Sequence, residues 1–309
     1  MILLAIAAAL PGVFWDAPPD TAAALREAGI RRIVVPAEQV AAWKQVEGIA
    51  VAAGDPRQAV KVRTPAVNYR FDQASASRVP WIDSNGWRFL RQPDGRFFYD
   101  SGGAAAALAA AEAFAWGANA MVKTDAAGLK PLGDMLAFAA GIESAAMQPV
   151  VDFGFVDDGS ATAGEVMNLL VRHTLLFRVV KAPDPKLKLT VQLGSRKYPL
   201  EAAKNPGAMA QMVRADLTDE RRSLRIYGSA VVVGRVESAP GRVRVHLVNY
   251  DGGRKVNGLR VRVAGRYANY RLAAAGNPDL ALMDYDAQPD ATEFTLPELK
   301  TYAVIDLLK

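Results

Sequence analysis

The sequence predicts an α/β part followed by an all-β part, and three observations carry that prediction. Between residues 12 and 146, short apolar runs alternate with helical patterns, which is typical of a parallel β/α architecture. The alternation restarts after Pro149 for one further unit. From Arg221 onward, apolar and polar residues alternate with a period of two, which indicates antiparallel strands.

The first segment, residues 12–146, contains several strand and helix patterns in alternation. A strand at 12–16 (GVFWD) precedes two prolines and a helix at 20–28, which ends before Gly29 because glycine commonly follows a helix C-terminus. The other predicted strands are 31–36, 48–55, 79–83 and 119–124, and the other predicted helices are 104–116 and 129–140. This segment is too short for a complete eight-unit barrel, which takes about 250 residues.

The second and third segments differ sharply in pattern. Residues 147–219 predict one βαβ module, with a strand and polar loop at 150–160, further strands at 176–182 and 187–195, and helices at 164–175 and 205–217. Residues 220–309 predict only strands, with turns at Pro240–Gly241, Gly252–Gly253 and Gly276–Asn277. Short alternating strands separated by turns of this kind predict an antiparallel β-sandwich.

The composition excludes several classes of function. The chain has 309 residues, 51% of them hydrophobic and 22% charged, which is typical of a folded globular protein. It has no cysteine, so thiol catalysis, disulfides and cysteine metal sites are excluded. Only two histidines are present, which leaves little material for a histidine metal site or relay. We expect no cofactor and no metal; the acidic loop at 157–160 is explained by helix capping as well as by calcium.

The N-terminus indicates export. Residues 2–10 (ILLAIAAAL) form an apolar run far shorter than the roughly 20 residues of a membrane span. The run has the length of a signal-peptide core, although no Lys or Arg precedes it, and a buried first strand is the alternative. We expect residues 1–11 to be a signal segment, the protein to be periplasmic or extracellular, and no segment to span a membrane.

Several stretches resemble glycoside hydrolases of the β-galactosidase type. RVRVHLVNY (242–250), GLRVRVAG (258–265) and ATEFTLPELKTYAVIDL (291–307) resemble the terminal β-domain of such bacterial enzymes. Residues 150–180 resemble their amidotransferase-like domain, and GVFWDAPPD and VPWIDSNGW are similar to strand ends of a sugar-cleaving barrel.

This resemblance implies an incomplete β/α barrel-like domain (12–146), a short flavodoxin-like module (147–219) and a C-terminal β-sandwich (220–309). It also implies a protein that acts on or binds carbohydrate. The barrel-like part lacks several β/α units, which puts the usual pair of catalytic carboxylates in doubt. The middle module has no cysteine, so its implied role is structural rather than amidotransferase chemistry.

Strand-end carboxylates are the candidate catalytic groups. Glycoside cleavage uses two carboxylates, about 5–5.5 Å apart for retention and about 6.5–9.5 Å apart for inversion. Asp16, Asp83 and Asp125 each follow a predicted strand, and the ends of parallel strands converge on one face. Asp83 is the first choice, with Asp16 or Asp125 as its partner. Helix capping is the alternative role for all three, and it is the better interpretation of Asp125.

Tryptophans are the candidate ligand-binding groups, and all five lie in the first 116 residues. Trp15, Trp81 and Trp87 lie at strand ends or in loops beside Asp16 and Asp83, where an indole could stack on a sugar ring. Glu38, two residues after the second strand, joins them as a candidate ligand contact. Trp43 and Trp116 lie on helical patterns and are interpreted as core.

Positive charge is concentrated between residues 221 and 271, a segment that contains twelve Lys and Arg residues but only two Asp and Glu residues. Such a sheet face could bind an anionic polysaccharide, a nucleic acid or an acidic neighbouring domain. A solvated or interdomain surface is the favoured interpretation, and no nucleic acid partner is expected because no reading motif is present.

Two hypotheses follow from these observations. The chain is either a glycosidase with two catalytic carboxylates or a non-catalytic relative that binds carbohydrate or a partner. They differ in whether two strand-end carboxylates share an open cleft within about 10 Å of each other.

Overall fold

The computed structural model describes residues 10–69, 80–143 and 146–309 and has a mixed α/β architecture with several separate sheets, as the sequence predicts. The predicted signal segment therefore lies almost entirely outside the described residues. The first part contains β1 (Gly12–Phe14), α1 (Ala22–Glu27), β2 (Arg32–Val35), α2 (Val40–Trp43), β3 (Ala50–Ala53), β4 (Val60–Lys61), β5 (Ala66–Asn68), β6 (Trp81–Asp83), α3 (Gly86–Arg91), β7 (Arg96–Asp100), α4 (Ala105–Ala115), β8 (Asn119–Lys123) and α5 (Ala126–Ala140).

Six of these strands form one parallel sheet in the order β3-β2-β1-β8-β7-β4. The edge strands β3 and β4 do not pair, so the described strands form no closed barrel. In a flat sheet those edges would lie about 24 Å apart, at about 4.8 Å per strand. Only residues 54–59 join them, and half of these form a compact 3₁₀ turn (Pro56–Gln58). Six residues span at most about 20 Å when fully extended, so the sheet is curved.

Residues 79–83 were expected among the parallel strands, and the structure corrects this. β6 pairs antiparallel with β5, in a separate two-stranded sheet. Only residues 69–80 separate the two strands in the sequence. Parallel neighbours need a long crossover, whereas antiparallel strands are joined directly.

The helices around the sheet are explained by their sequences. α4 is rich in alanine, the best helix former, and its small side chains allow close packing, so most of the helix is buried. α5 packs closely on α1: a Cβ at Gly133 would lie 1.8 Å from the carbonyl oxygen of Ala28. Only glycine permits that approach of the two backbones.

The middle part is a three-stranded parallel sheet with helices. Stacked and tilted phenylalanine rings from β10 and β11 fill its core. α6 packs against both α8 and α3, which links this part to the first one. The elements are β9 (Gln148–Pro149), β10 (Phe153–Val156), α6 (Ala161–Arg172), β11 (Phe177–Val180), β12 (Thr190–Gln192), α7 (Leu200–Ala203) and α8 (Pro206–Leu217), with the strand order β11-β10-β12.

The last part consists of two antiparallel sheets that share one hydrophobic cluster. Leu224, Val261 and Phe294 enter the cluster from one sheet, and Val245 and Ile305 enter from the other. The strands are β13 (Leu224–Tyr227), β14 (Val232–Ala239), β15 (Arg242–Asn249), β16 (Val256–Ala264), β17 (Asn269–Ala274), β18 (Met283–Ala287), β19 (Ala291–Leu299) and β20 (Tyr302–Leu308). Their orders are β13-β16-β19-β18 and β17-β20-β15-β14-β9.

Many of the basic residues between 221 and 271 form ion pairs with carboxylates. Arg242 and Arg244 contact Asp306, Arg260 contacts Glu293, and Lys255 contacts Glu298. Among the described residues, no helix is long and apolar enough to cross a membrane.

Candidate functional site

The six-stranded sheet and the loop between β3 and β4 border a cavity of about 990 Å³, here called the large cavity. Residues of β1, β2, β3, β7 and β8 and the whole of loop 54–59 line it. Phe14 and Phe98 lie in its wall with their rings edge to face, 5.7 Å apart. Val34 and Met121 add further apolar surface.

Ion pairs form the charged rim of the large cavity, at the carboxyl ends of the strands. Asp16 follows β1 and Lys123 ends the neighbouring β8, and their side chains are 2.5 Å apart. Asp55 pairs with Arg57 at 2.9 Å, and the Asp100 carboxylate lies 3.4 Å from Lys61. The hydrogen bonds from Arg57 lower the pKa of Asp55.

Glu38 and Trp15, two further predicted residues, follow strands of the same sheet, but only Glu38 lines the large cavity. Glu38 lies on the 3₁₀ turn after β2 (Ala37–Gln39), where it is exposed and lines the large cavity. Trp15 follows β1 on the opposite face, because successive side chains of an extended segment alternate. It is buried in the core, and its Nε1 donates to the Thr21 hydroxyl at 2.8 Å.

Asp125 caps a helix. Its Oδ1 accepts hydrogen bonds from the backbone N–H groups of Gly128 and Gly103, both at 2.9 Å. These backbone hydrogen bonds lower the pKa of Asp125. The residue lines neither the large cavity nor the smaller pocket described next.

Asp83 lies in a different place, at the end of β6, in a pocket of about 70 Å³ here called the small pocket. It accepts hydrogen bonds from Asn68 at 2.6 Å and from the indole of Trp81 at 3.3 Å. Trp81 and Trp87 both line this pocket, so the structure brings these three predicted residues together. Each indole has a guanidinium over its ring: Arg172 at 3.8 Å from Trp81 and Arg88 at 4.3 Å from Trp87.

The three candidate catalytic aspartates therefore occupy three separate positions. Asp16 lines the large cavity, Asp83 lines the small pocket, and Asp125 caps α5. Asp83 does not lie beside Asp16, because β6 is not a strand of the six-stranded sheet and its end does not meet the ends of those strands.

Sequence reasoning missed most of the neighbouring polar groups. Asp100 was missed because the run RFFYD, which forms β7, was not assigned as a strand, although its aromatic residues favour one. Asp55 ends a strand that was assigned, so its position could have been noticed. Among the described residues, no group of three or more His, Asp or Glu is placed to hold a metal ion.

A buried carboxylate supports the floor of the small pocket. Glu112 on α4 is fully buried and accepts hydrogen bonds from the hydroxyls of Tyr99 and Tyr250, both at 2.7 Å. It also accepts from the backbone N–H of Asn85 at 2.6 Å and from the Ser84 hydroxyl at 3.1 Å. Ser84 and Asn85 line the small pocket, so Glu112 fixes its floor to the last part of the chain through Tyr250.

Similar folds occur among known structures. Alpha-L-fucosidase isoenzyme 2 from Paenibacillus thiaminolyticus is similar, with a TM-score of 0.56 and 10% identity over 87% of this chain and 70% of that chain. A GH42 β-galactosidase from G. stearothermophilus has a TM-score of 0.38 and 8% identity, over 96% of this chain and 60% of that chain. An exo-carrageenase GH42 from Bacteroides ovatus has a TM-score of 0.39 and 10% identity, over 84% and 48%.

The likeness to the fucosidase defines the class of fold. It shows a shared fold, and the fold of this chain is glycoside-hydrolase-like, as its sequence resemblance implied. The chain spans 60% or less of the length of the two GH42 enzymes. No protein-family model matches the sequence, and no curated protein shows significant sequence similarity to it.

Proposed function

We propose that this chain is a carbohydrate-binding relative of glycoside hydrolases that holds its glycan in the large cavity without cleaving it. The observation that carries this proposal is the pairing of Asp16, Asp55 and Asp100 with Lys or Arg. A glycosidase needs one carboxylic acid that stays protonated and a second carboxylate beside it. Burial in an apolar site keeps such an acid protonated, whereas these three are ion-paired and Glu38 is exposed.

The large cavity has the chemistry that a sugar requires. Its volume of about 990 Å³ lies within the range of small-molecule sites, which is about 300–1,000 Å³. The ion pair of Asp16 and Lys123 offers acceptors and donors to hydroxyl groups at one end. The apolar wall of Phe14, Phe98 and Met121 offers contact to the C–H faces of a sugar ring.

The fold supports a more specific interpretation of the same site. If β3 were joined to β4, the strands would follow one another around a ring in chain order, which is the arrangement of a β/α barrel. We interpret the six-stranded sheet as a barrel remnant and the two antiparallel sheets as a β-sandwich. The large cavity then corresponds to the barrel interior.

Binding and cleavage can be measured together on a panel of neutral and acidic oligosaccharides. We expect calorimetry to detect binding and a reducing-sugar assay to detect no release. Lys123→Met should weaken binding about tenfold or more, because a hydrogen bond to a charged group contributes about 1.5–3 kcal/mol. Lys130→Met is the matched control, since it removes an exposed Lys–Asp pair on α5, outside the cavity. Absence of binding across the panel, or equal binding by both variants, would refute the proposal.

Cleavage remains the second candidate because of one observation. Asp83 and Glu165 line the same small pocket, so two carboxylates do face a common space there. Release of reducing sugar by the wild type that is lost in Asp83→Asn would favour a glycosidase over a binding protein.

A further inference from the structure

The small pocket is a polar site assembled from three separate segments. The end of the β5–β6 hairpin contributes Asp83, α3 contributes Arg88, and α6 contributes Glu165 and Asn168. It shares no lining residue with the large cavity. Its volume of about 70 Å³ accommodates several water-sized groups, since one water needs about 10–15 Å³.

Asn168 is an unusual residue for a structural role. Its side chain lines the pocket and is 8% exposed, yet Oδ1 accepts no hydrogen bond within the described part of the chain. A buried acceptor without a donor destabilises a fold, and native proteins contain few of them. A ligand that donates a hydrogen bond here would complete the site.

The groups around Asn168 complement one another. Glu165 lies one turn earlier on the same face of α6, and its carboxylate has no ion pair in the ranges that the structure describes. Across the pocket, the Arg88 guanidinium lies over Trp87 and donates to the Asn85 side chain at 3.2 Å. A guanidinium has five N–H donors, so Arg88 retains donors for a ligand.

We propose that the small pocket is a second carbohydrate site, which binds vicinal hydroxyl groups of a monosaccharide or of a terminal sugar. A hydroxyl both donates and accepts, so one diol can donate to Asn168 and Glu165 and accept from Arg88. The two arginines and two aspartate or glutamate side chains in the lining balance in charge, which suits a neutral ligand. The choice of ligand class rests on the proposed carbohydrate function.

The pocket floor is prepared for binding before a ligand arrives. Glu112 holds Ser84 and Asn85 by hydrogen bonds to both residues. Preorganised polar groups need no reordering when they bind, which favours affinity.

Tryptophan fluorescence distinguishes the two sites. Trp81 and Trp87 line the small pocket, whereas no tryptophan lines the large cavity. We would titrate the full chain with D-galactose, L-fucose and myo-inositol and record the fluorescence, with glycine and ethanolamine as amine probes. The wild type and Lys123→Met should both give a saturable change. Asn168→Leu should weaken the response about tenfold or more, the expected effect of one lost hydrogen bond in a buried site.

Thermal unfolding provides the control for folding. Asn168→Leu should melt at the same temperature as the wild type or higher, because the substitution removes an unpartnered acceptor and keeps the volume similar. Trp87→Phe should reduce the amplitude of the fluorescence change and so assign it to the small pocket.

The outcomes separate this inference from the proposed function. An unchanged response in Asn168→Leu, or a response to the amines alone, would overturn the second site. Oligosaccharide binding by calorimetry without any fluorescence change would overturn the second site and leave the proposed function standing. Absence of both signals would overturn both.

Discussion

Two buried carboxylates, one in a parallel and one in an antiparallel part of this chain, are held in opposite ways. In the parallel part, Glu112 is fully buried and surrounded by hydroxyl, amide and backbone donors, with no Lys or Arg in an ion pair with it in the described part. In the antiparallel part, Asp306 on β20 lies directly opposite Arg244 on β15 and also accepts from Arg242. One carboxylate is held by neutral groups and the other by cations.

The difference follows from the surrounding architecture. α4 is almost entirely alanine around Glu112, so the groups that hydrogen-bond to this carboxylate come from other elements. Tyrosine hydroxyls can donate to it without burying a second charge. On a sheet, cross-strand pairs lie close together and long arginine side chains reach neighbouring strands. Burial alone would raise the pKa of Asp306, but the hydrogen bonds from Arg244 and Arg242 outweigh it and lower that pKa.

The largest effect is expected at Glu112. Glu112→Ala leaves several buried donors without an acceptor, so we expect the free energy of unfolding to fall by about 4 kcal/mol in urea denaturation. The floor of the small pocket should be lost with it. Glu112→Gln keeps one acceptor oxygen and should cost about half as much. An alanine variant within about 1 kcal/mol of the wild type would contradict the importance of this network.

A smaller effect is expected at Asp306. Asp306→Asn removes the negative charge between two arginines, and breaking a buried ion pair costs about 3 kcal/mol. Asp290→Asn is the control: its carboxylate pairs with Arg262 but is largely exposed, so it should cost well under about 1 kcal/mol. If Asp306→Asn costs less than Glu112→Gln, the contrast between cationic and neutral partners is wrong.

The smallest effect is a dependence of stability on pH, for which the chain has one histidine in each part. Burial lowers the pKa of His246; Glu237, 3.5 Å from its Nε2, opposes this, and the positive charges of Arg235 and Arg244 add to it. The unfolded histidine takes up a proton near pH 6.5, whereas the folded one does so at lower pH. Stability should therefore fall as the pH drops below about 6.5.

Two variants assign this effect. His246→Gln should flatten the decline in stability between about pH 7 and pH 5 more than His173→Gln does, because His246 is the more deeply buried. Equal slopes in the two variants would contradict the assignment to His246.

Glu237 affects stability at lower pH. Burial would raise the pKa of Glu237, but His246 and Arg235 outweigh it and lower that pKa to about 2. Its contribution is therefore full above about pH 4.5 and is lost as the pH falls towards 2.

Part of the candidate site could be predicted from the sequence because its signals are local. Trp81, Asp83 and Trp87 are close in the chain, and they line one pocket. Glu38 follows its strand by a short turn and lines the large cavity. The relation of Asp83 to Asp16 could not be predicted, because it depends on whether β6 joins the parallel sheet, which the pattern of residues 81–83 does not encode.

The sequence alone determined the mixed α/β class, the alanine-rich helix α4, the alternating strands of the last part and the exclusion of thiol chemistry. These follow from composition and from short periodic patterns, which the residues express without reference to distant partners. Only the tertiary structure decided the order of the parallel strands, the pairing of Asp16 with Lys123 and of Asp100 with Lys61 at the rim of the large cavity, and the packing of α6 against β6. Each of these joins residues far apart in the chain, and which distant segments pack together is decided by the packing of the whole core rather than by any local pattern.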